Sequence, residues 1–305
     1  MANSPGQQQT KPDQDAVRLG FIAAFTAYTI WGAFPLYLKQ IDHVSALEIV
    51  CQRILWAIPF CALILTLRRQ WPDVRASLNW KTLRYLLLSA TFISVNWYFY
   101  TWAVSADRVL EASLGYYINP LMFVAAGVLV LNEKLSRVQW IAIVMATIGV
   151  AILTFGIGVF PWVSFLLAAS FTTYGFVRKH VVIGAVPGLF IETLIVAPIA
   201  AIILIQMAQT TGTAFGSQGV GLNLLLILAG PVTVVPLTLF AIGARRLQLS
   251  TIGFLQYIGP TGQFLLGLYY GEAFTIYHGV CFGLIWAGLA LLSADALQQQ
   301  AGKKR

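Results

Sequence analysis

Long apolar runs separated by short polar segments make up almost the whole chain. A helix needs about 20 apolar residues to cross the ~30 Å hydrocarbon core of a bilayer. Read at that length, the sequence predicts ten transmembrane spans: 17–37, 45–66, 82–105, 109–131, 138–157, 161–179, 186–208, 222–243, 249–270 and 274–293. The connecting segments are short, so they leave no room for a soluble domain.

The composition agrees with this pattern. Of the 305 residues, 58% are hydrophobic and 10% are charged, whereas soluble proteins carry about 25% charged residues. Residues 1–16 are polar and lack an apolar stretch, which predicts a disordered cytoplasmic tail and not a cleaved signal. Residues 294–305 form a second, basic tail. With an uncleaved first span, we expect a multi-pass protein of a bacterial inner membrane.

The basic residues set the predicted orientation. Cytoplasmic loops of membrane proteins collect Lys and Arg. With ten spans and both termini in the cytoplasm, sixteen of the 19 basic residues fall on the inner side; Lys39 and Arg108 fall outside, and Arg53 lies within a span. Topology therefore explains the net charge of +8, and we expect the partner to be the lipid bilayer and not nucleic acid.

The second half of the sequence repeats the first at offsets of 138–143 residues. YTIWGAF at 28–34 resembles FTTYGFV at 171–177, RILWAIP at 53–59 lies over ETLIVAP at 192–198, and YINP at 117–120 lies over YIGP at 257–260. Each half, 17–157 and 161–293, holds five spans, and an odd number of crossings inverts the second copy. Inverted repeats are typical of secondary transporters, which hold their substrate between the two halves.

Several motifs resemble one transporter family. They are LExxxxRxLW at 47–56, the run ADRVLEASLGYYINPL at 106–121 and NEKLSRVQW at 132–140. The chain is similar over residues 17–293 to the RarD branch of the EamA-type drug/metabolite transporter superfamily. That resemblance implies a ten-helix inner-membrane carrier with both termini in the cytoplasm. Our leading hypothesis is a secondary transporter that exports a small organic metabolite or drug by alternating access, with proton coupling left open.

Polar side chains inside spans are costly and usually face the bundle interior or a water-filled path. Arg53 lies near the middle of its span, where its guanidinium could bind a substrate carboxylate or hold the bundle together through Glu48, Glu111 or helix carbonyls. Glu192 occupies the repeat position of Arg53, but the inversion separates the two along the membrane normal by roughly 10 Å. We therefore expect no direct salt bridge. Glu48, Glu111 and Glu192 are the candidates for proton coupling.

Aromatic and amide side chains in the spans are candidates for the lining of a substrate cavity, or for interfacial anchors and helix contacts. With Arg53, they are Tyr28, Trp31, Asn96, Tyr100, Tyr117, Asn119, Tyr174, Gln256, Tyr257 and Gln263. Pro120 and Pro260 each remove a backbone hydrogen bond, which predicts matching kinks in spans 4 and 9. Asn119 is aligned with Gly259 in the repeat. Because the positions that differ between the copies are those expected to recognise the substrate, the first copy, with its additional polar side chain, is the better candidate.

Other classes of protein have weaker support. The sequence lacks a P-loop, HExxH and GxSxG, and Cys51, Cys61 and Cys281 lie in apolar segments without the spacing of metal ligands, so we expect no enzyme activity, metal or cofactor. An uptake permease for amino acids or nucleosides and, less well supported, an intramembrane enzyme on a lipid-linked substrate are the alternatives. Glycine pairs at 267/271 and 279/283 suit packing of spans 9 and 10 or a homodimer.

Overall fold

The computed structural model describes residues 14–131, 136–247, 251–252 and 255–302, and these ranges contain helices and connections but no strand. The helices are α1 Gln14–Gly32, α2 Phe34–Lys39, α3 Ala46–Leu67, α4 Trp71–Ala76, α5 Trp80–Ser105, α6 Val109–Leu131, α7 Arg137–Ile157, α8 Trp162–Lys179, α9 Ala185–Thr210, α10 Val220–Ala244, α11 Ile258–Tyr269 and α12 Ile276–Gly302. Each of the ten predicted spans contains helix. In the described ranges, six segments, with α1 and α2 taken together, are long and apolar enough to cross a membrane. The chain is an all-α, multi-pass membrane protein.

Side-chain caps fix where three of the helices begin. Ser45 accepts a hydrogen bond from the backbone N–H of Glu48 at 3.2 Å at the start of α3, and Asn79 caps α5 in the same way. Ser136 and Gln139 form a reciprocal capping box at the start of α7. Such caps satisfy N–H groups that have no partner within the helix.

The first predicted span is divided at Gly32, where α1 ends and α2 follows with Pro35 in its first turn. Proline has no N–H, so Pro35 leaves the carbonyl of Trp31 without its helical donor. Gln263 of α11 supplies that donor, because its Nε2 lies 3.2 Å from the Trp31 carbonyl oxygen. A neighbouring helix thus satisfies the freed backbone group, as the apolar interior of a membrane requires.

Spans 4 and 9 differ in helix continuity around their prolines, and the matching kinks at Pro120 and Pro260 stay a prediction. Pro120 lies inside the continuous helix α6, whereas Gln256 and Tyr257 form a turn and α11 begins only at Ile258. Pro260 therefore falls in the first turn of α11, where a missing N–H costs little. Gly32 and Gly262 meet next to this break, with a Cβ added to Gly262 lying 2.9 Å from the Gly32 Cα. The two interrupted helices cross there at close range.

Other boundaries also differ from the prediction. α1 begins at Gln14, within the segment expected to be disordered, and α12 continues to Gly302 through most of the predicted tail. The long loop at 67–81 holds the short helix α4. Residues 1–13, the motif residues 132–135 and the tail residues 303–305 lie outside the described residues.

Helix packing is symmetric between the segments α1–α7 and α8–α12. In the repeat, α1, α3, α5 and α6 correspond to α8, α9, α10 and α11. The contact of α1 with α10 therefore corresponds to that of α8 with α5, α1 with α11 to α8 with α6, and α3 with α10 to α9 with α5. The remaining large contacts, α3 on α9, α6 on α11 and α7 on α12, join repeat-equivalent helices. The packing is therefore of the kind that an exchange of two five-span halves leaves unchanged.

Equivalent helices run in opposite directions where they meet. Gly149 of α7 lies against Cys281 of α12, whereas Ala142, earlier on α7, lies against Gly288, later on α12. The same holds for α6 and α11, in which Leu110 packs on Gly267 and Ser113 donates to the Pro260 carbonyl. Opposite directions are what an inverted repeat predicts. Gly267 lies against Leu110 of α6. The sequence prediction, packing of spans 9 and 10 or a homodimer, did not include this contact.

Candidate functional site

Arg53 extends from α3 towards α10 and so lies between the two halves. Its Nε donates to the Thr233 hydroxyl at 2.6 Å. The guanidinium carbon lies 4.1 Å from the centroid of the Trp97 ring and 4.9 Å from that of Phe34, and the residue is only 7% exposed. None of the salt bridges among the described residues involves Arg53. A hydroxyl and two ring faces surround this buried cation, and no carboxylate of the described residues pairs with it.

A series of aromatic rings continues from this arginine into the molecule. Phe34 stacks on Tyr100 with centroids 5.7 Å apart, and Tyr100 contacts Tyr116 at the same distance. Phe171 lies 6.0 Å from both Tyr116 and Tyr174. The Tyr100 hydroxyl is buried and has no hydrogen-bond partner in the described part of the chain. These rings form an apolar wall with one unused hydroxyl near its Arg53 end.

Asn96 fixes the middle of this wall. Its Nδ2 donates to the Leu167 carbonyl at 3.0 Å and to the Ser170 hydroxyl at 3.1 Å, and its Oδ1 accepts from the Tyr116 hydroxyl at 3.1 Å. The amide thereby ties α5 to α6 and α8. Its bonds are already used within the protein, so Asn96 positions the wall.

Glu192 occupies the far end of the same wall, beside Tyr174. Its Oε1 accepts a hydrogen bond from Ser89 and lies 3.7 Å from Nη1 of Arg178. Glu192 is only 1% exposed. The Tyr174 hydroxyl interacts with both Glu192 and Arg178, yet Oε2 of Glu192 and Nη1 of Arg178 lack a hydrogen bond of good geometry among the described residues. This buried ion pair is incompletely satisfied, and leaving such atoms unpaired is costly in an apolar interior.

Arg53 and Glu192 occupy equivalent positions in the two halves and have equivalent surroundings. Arg53 of α3 bonds a hydroxyl on α10, and Glu192 of α9 bonds a hydroxyl on α5. Each charge is therefore held by the third span of the other half. The salt bridge of Glu192 is to Arg178, so the structure agrees with the expectation that Arg53 and Glu192 do not pair.

Other predicted cavity residues lie away from this centre. Tyr28 and Trp31 form an aromatic cluster with Phe240 on the side of α1 that faces α10, with centroids 5.4–5.9 Å apart. Gln263 is used by the Trp31 carbonyl. These side chains hold the broken helices α1 and α11 in place.

The remaining predicted residues, on α6 and in the turn before α11, contact several different helices. The Tyr117 hydroxyl is bonded to that of Thr261 at 2.7 Å, and its ring stacks on Tyr257 and meets Trp286 edge-on. Asn119 accepts a hydrogen bond from Thr172 of α8. Gln256 lies in the turn before α11, beside Tyr257. The predicted set therefore divides among separate helix contacts.

Two of the candidate coupling carboxylates cap backbone groups. Glu48 accepts hydrogen bonds from the N–H groups of Ala214 and Phe215 at 3.0 and 2.9 Å. Glu111 pairs with Arg108 and accepts from the N–H of Val163 at 3.0 Å. Neither carboxylate contacts Arg53, so the expectation that they hold its guanidinium is wrong.

Glu272, which the sequence shows only as the end of a span, has the same role. It accepts hydrogen bonds from the N–H groups of Val109 and Leu110 at the start of α6. Burial raises the pKa of its carboxyl, and these two N–H groups oppose that effect. Lys39 nearby pairs with Asp107. We call this end of the molecule, where Glu48, Glu111 and Glu272 cap backbone groups, the capped end.

The other end, where α1, α5 and α9 begin, is the basic end. It contains a polar cavity of 700 Å³ between α4, α5, the α8–α9 connection and Arg245. A second, apolar groove of 470 Å³ opens along the side of the molecule between α3 and α9, where Gln52 is its polar residue together with Thr213. The central groups Arg53, Asn96 and Glu192 are buried away from both openings.

Sequence reasoning missed several members of the centre. Arg178 was counted only as an inner-side charge, although it lies one helical turn after Tyr174 on α8, a spacing that places both on one face. Ser89 and Thr233 gave no signal, because small hydroxyls inside spans usually bond their own helix. Trp97, which contacts Arg53, could have been found only from its position directly after Asn96.

Comparison with known proteins gives a consistent result. The model of the EamA-like transporter family matches residues 18–155. An uncharacterized transporter from Vibrio cholerae is 43% identical, with 96% of this chain and 98% of that protein covered. Protein RarD from Salmonella typhi is 42% identical, with 95% and 100% covered. A crystal structure at 18% identity matches with a TM-score of 0.59 over 89% of this chain and 96% of that one, and it shows the fold alone.

Proposed function

The chain belongs to the RarD branch of the EamA-like transporter family, and from this we propose that it exports a small organic metabolite or drug across a bacterial inner membrane by alternating access. The observation that carries the proposal is Arg53. A buried guanidinium between the two halves, faced by Trp97 and Phe34 and without a carboxylate partner among the described residues, is a place where a ligand can supply the missing charge.

The chemistry of this site favours an amphipathic or aromatic solute that bears an acidic group. The guanidinium would bind a carboxylate through two parallel hydrogen bonds. The rings of Phe34, Tyr100 and Tyr116 offer stacking surface on one side, and the unused Tyr100 hydroxyl offers one further hydrogen bond.

Alternating access requires that each end open in turn, and the two ends are closed by different bonds. Lys39–Asp107 and the Glu272 cap join separate elements at the capped end. At the basic end the corresponding contact is Arg178–Glu192, which joins α8 to α9 below the polar cavity. We infer that the contacts at the capped end and those at the basic end break in turn, so that substrate reaches Arg53 from one side of the membrane at a time.

Glu192 is the best candidate for proton coupling. Of the three carboxylates predicted for that role, Glu48 and Glu111 are occupied by backbone N–H groups. Glu192 contacts only side chains, those of Ser89, Arg178 and Tyr174. Protonation of Glu192 would remove its attraction for Arg178 and so weaken the contact that closes the basic end.

Reconstitution in liposomes tests the proposed function. Liposomes that contain the purified protein are loaded with pooled bacterial metabolites. Counterflow of each solute is then measured with and without a pH gradient. We expect an anionic organic solute to exchange and the gradient to alter its accumulation. Absence of flux for every solute, together with no effect of any solute on thermal stability, would contradict the proposal.

A further inference from the structure

The polar cavity at the basic end has a lining unlike that of the lateral groove. Asp73, Asn79, Lys81, Thr82, His180 and Arg245 are among its polar residues. It has a volume of 700 Å³, and it lies outside Arg178 and Glu192, so it does not include the central site. A polar space of this size at the edge of a membrane protein is large enough for a charged group of several atoms.

Two cations of the lining are free. Lys81 and Arg245 belong to none of the salt bridges or side-chain hydrogen bonds found among the described residues. The lining carboxylate, Asp73, pairs with neither. Lys81 comes from the first turn of α5 and Arg245 directly follows α10, so cations from both halves reach one cavity.

Backbone donors lie beside these cations. α9 begins after Gly184, whose missing side chain leaves the first N–H groups of the helix without a cap. Arg178, which is not part of the lining, adds positive charge behind it, because its Nη2 donates to the carbonyl of the lining residue Gly184 at 3.3 Å. Donors and positive charge around a polar space favour an oxygen-rich anion, of which phosphate is the common form.

The rim of the cavity indicates where such a phosphate comes from. Val182 lines the cavity and is completely exposed, and Leu78 and Trp80, on either side of Asn79, are exposed as well. Apolar side chains left open next to a polar cavity at a membrane surface match a ligand with a charged head and an apolar body. Free phosphate would leave this rim unused.

We propose that the cavity binds the phosphate headgroup of an anionic phospholipid, with Lys81 and Arg245 as its cationic ligands and Val182, Leu78 and Trp80 along its acyl chains. The bound lipid bridges α5 of the first half and the α8–α9 connection of the second. The effect on transport rests on the proposed function: if alternating access separates those elements at the basic end, the lipid stabilises the closed form of that end.

Lipid binding to the purified full-length protein tests this proposal. Native mass spectrometry and thermal unfolding are measured with phosphatidylglycerol, with phosphatidylcholine and with inorganic phosphate alone. The test variant is Lys81→Gln/Arg245→Gln. The matched control is Arg68→Gln/Arg75→Gln, which removes the same charge from exposed residues at the same end that do not line the cavity. Each cation near an anionic headgroup strengthens binding about fivefold, so the test variant should lose about 30-fold in affinity.

We expect phosphatidylglycerol to bind and raise the Tm of the wild type and the control variant, and phosphatidylcholine to do neither. Equal loss of binding in both double variants would show diffuse surface attraction and overturn the site. Binding of inorganic phosphate with the same dependence on Lys81 and Arg245, without binding of lipid, would overturn the lipid as its source. If the test variant elutes as aggregate, Lys81→Gln alone must show the fivefold loss, and unchanged affinity refutes the proposal.

Discussion

The residues at the centre differ in how completely their charges are satisfied. Arg53 has a hydroxyl and two rings around it. The Glu192–Arg178 pair is separated by 3.7 Å, and the Tyr174 hydroxyl lies against both members. A well-formed buried ion pair is shorter, near 2.8 Å. The longer distance fits a contact that breaks during the transport cycle better than one that only stabilises the fold.

A double-mutant cycle measures whether this pair interacts. Arg178→Met leaves Glu192 as an uncompensated buried charge, which costs about 3 kcal/mol or more. Glu192→Gln keeps the contact with Ser89 and removes that charge, so Arg178→Met should cost much less in the Glu192→Gln background. Thermal unfolding of the four proteins checks this prediction. Strictly additive changes in the free energy of unfolding would show that the two side chains do not interact.

The sequence was least informative about which helix each polar side chain contacts. A polar residue in a span predicts burial, and Arg53, Asn96, Glu192 and Gln263 are indeed buried. The pattern does not say which helix each one meets. Gln263 was expected in a cavity and instead bonds the Trp31 carbonyl, because a proline on another helix left that oxygen without a donor.

At the scale of helices, the two interrupted spans support one another. α1 ends at Gly32 and α11 begins at Ile258, and these breaks meet at the glycine crossing. The sequence predicted kinks at Pro120 and Pro260 from their shared motif. It did not reveal that Pro35 frees a carbonyl that another helix satisfies, since a proline near the end of a predicted span looks like an ordinary helix boundary.

This arrangement predicts an interaction between Pro35 and Gln263. Gln263→Leu leaves the partly buried Trp31 carbonyl unpaired and should destabilise the protein by about 1–3 kcal/mol. Pro35→Ala restores the N–H that the carbonyl would use in a continuous helix, so Gln263→Leu should cost about 1 kcal/mol less in that background.

Thermal unfolding of the single and double variants measures this difference. Gln206→Leu on the exposed face of α9 is the control and should leave the Tm nearly unchanged. An equal cost of Gln263→Leu in both backgrounds would mean that the bond to Trp31 contributes nothing.

The whole molecule follows the plan predicted from its repeats. The exchange of helix contacts between α1–α7 and α8–α12, and the opposite directions of equivalent helices, are what five-span inverted copies require. Repeats of whole spans leave a signal in the sequence because the same packing constrains many positions. The division of the candidate site among three helix contacts left no such signal, because each contact depends on side chains far apart in the chain.

The capped end should close at one stage of the transport cycle, and permanent closure should stop transport. In a background in which Cys51, Cys61 and Cys281 are alanine, Lys39→Cys/Asp107→Cys joined by a short, cleavable thiol crosslinker should stop counterflow, since the crosslink replaces the Lys39–Asp107 contact. Cleavage of the linker should restore it. The single-cysteine variants treated with the same reagent are the controls, and undiminished flux in the crosslinked protein would contradict a gate at this end.

The most direct test of the account concerns Arg53 itself. Counterflow is measured in four liposome preparations that contain equal amounts of wild type, Arg53→Ala, Arg53→Lys or Cys51→Ala. Cys51 is the control because it is buried two residues earlier on α3 and is not part of the proposed substrate site. We predict that Arg53→Ala abolishes transport, that Arg53→Lys retains a small part of it because an ammonium cannot form the two parallel hydrogen bonds, and that Cys51→Ala transports like the wild type. Equal transport by Arg53→Ala and Cys51→Ala would contradict the central claim and leave Arg53 as a packing residue.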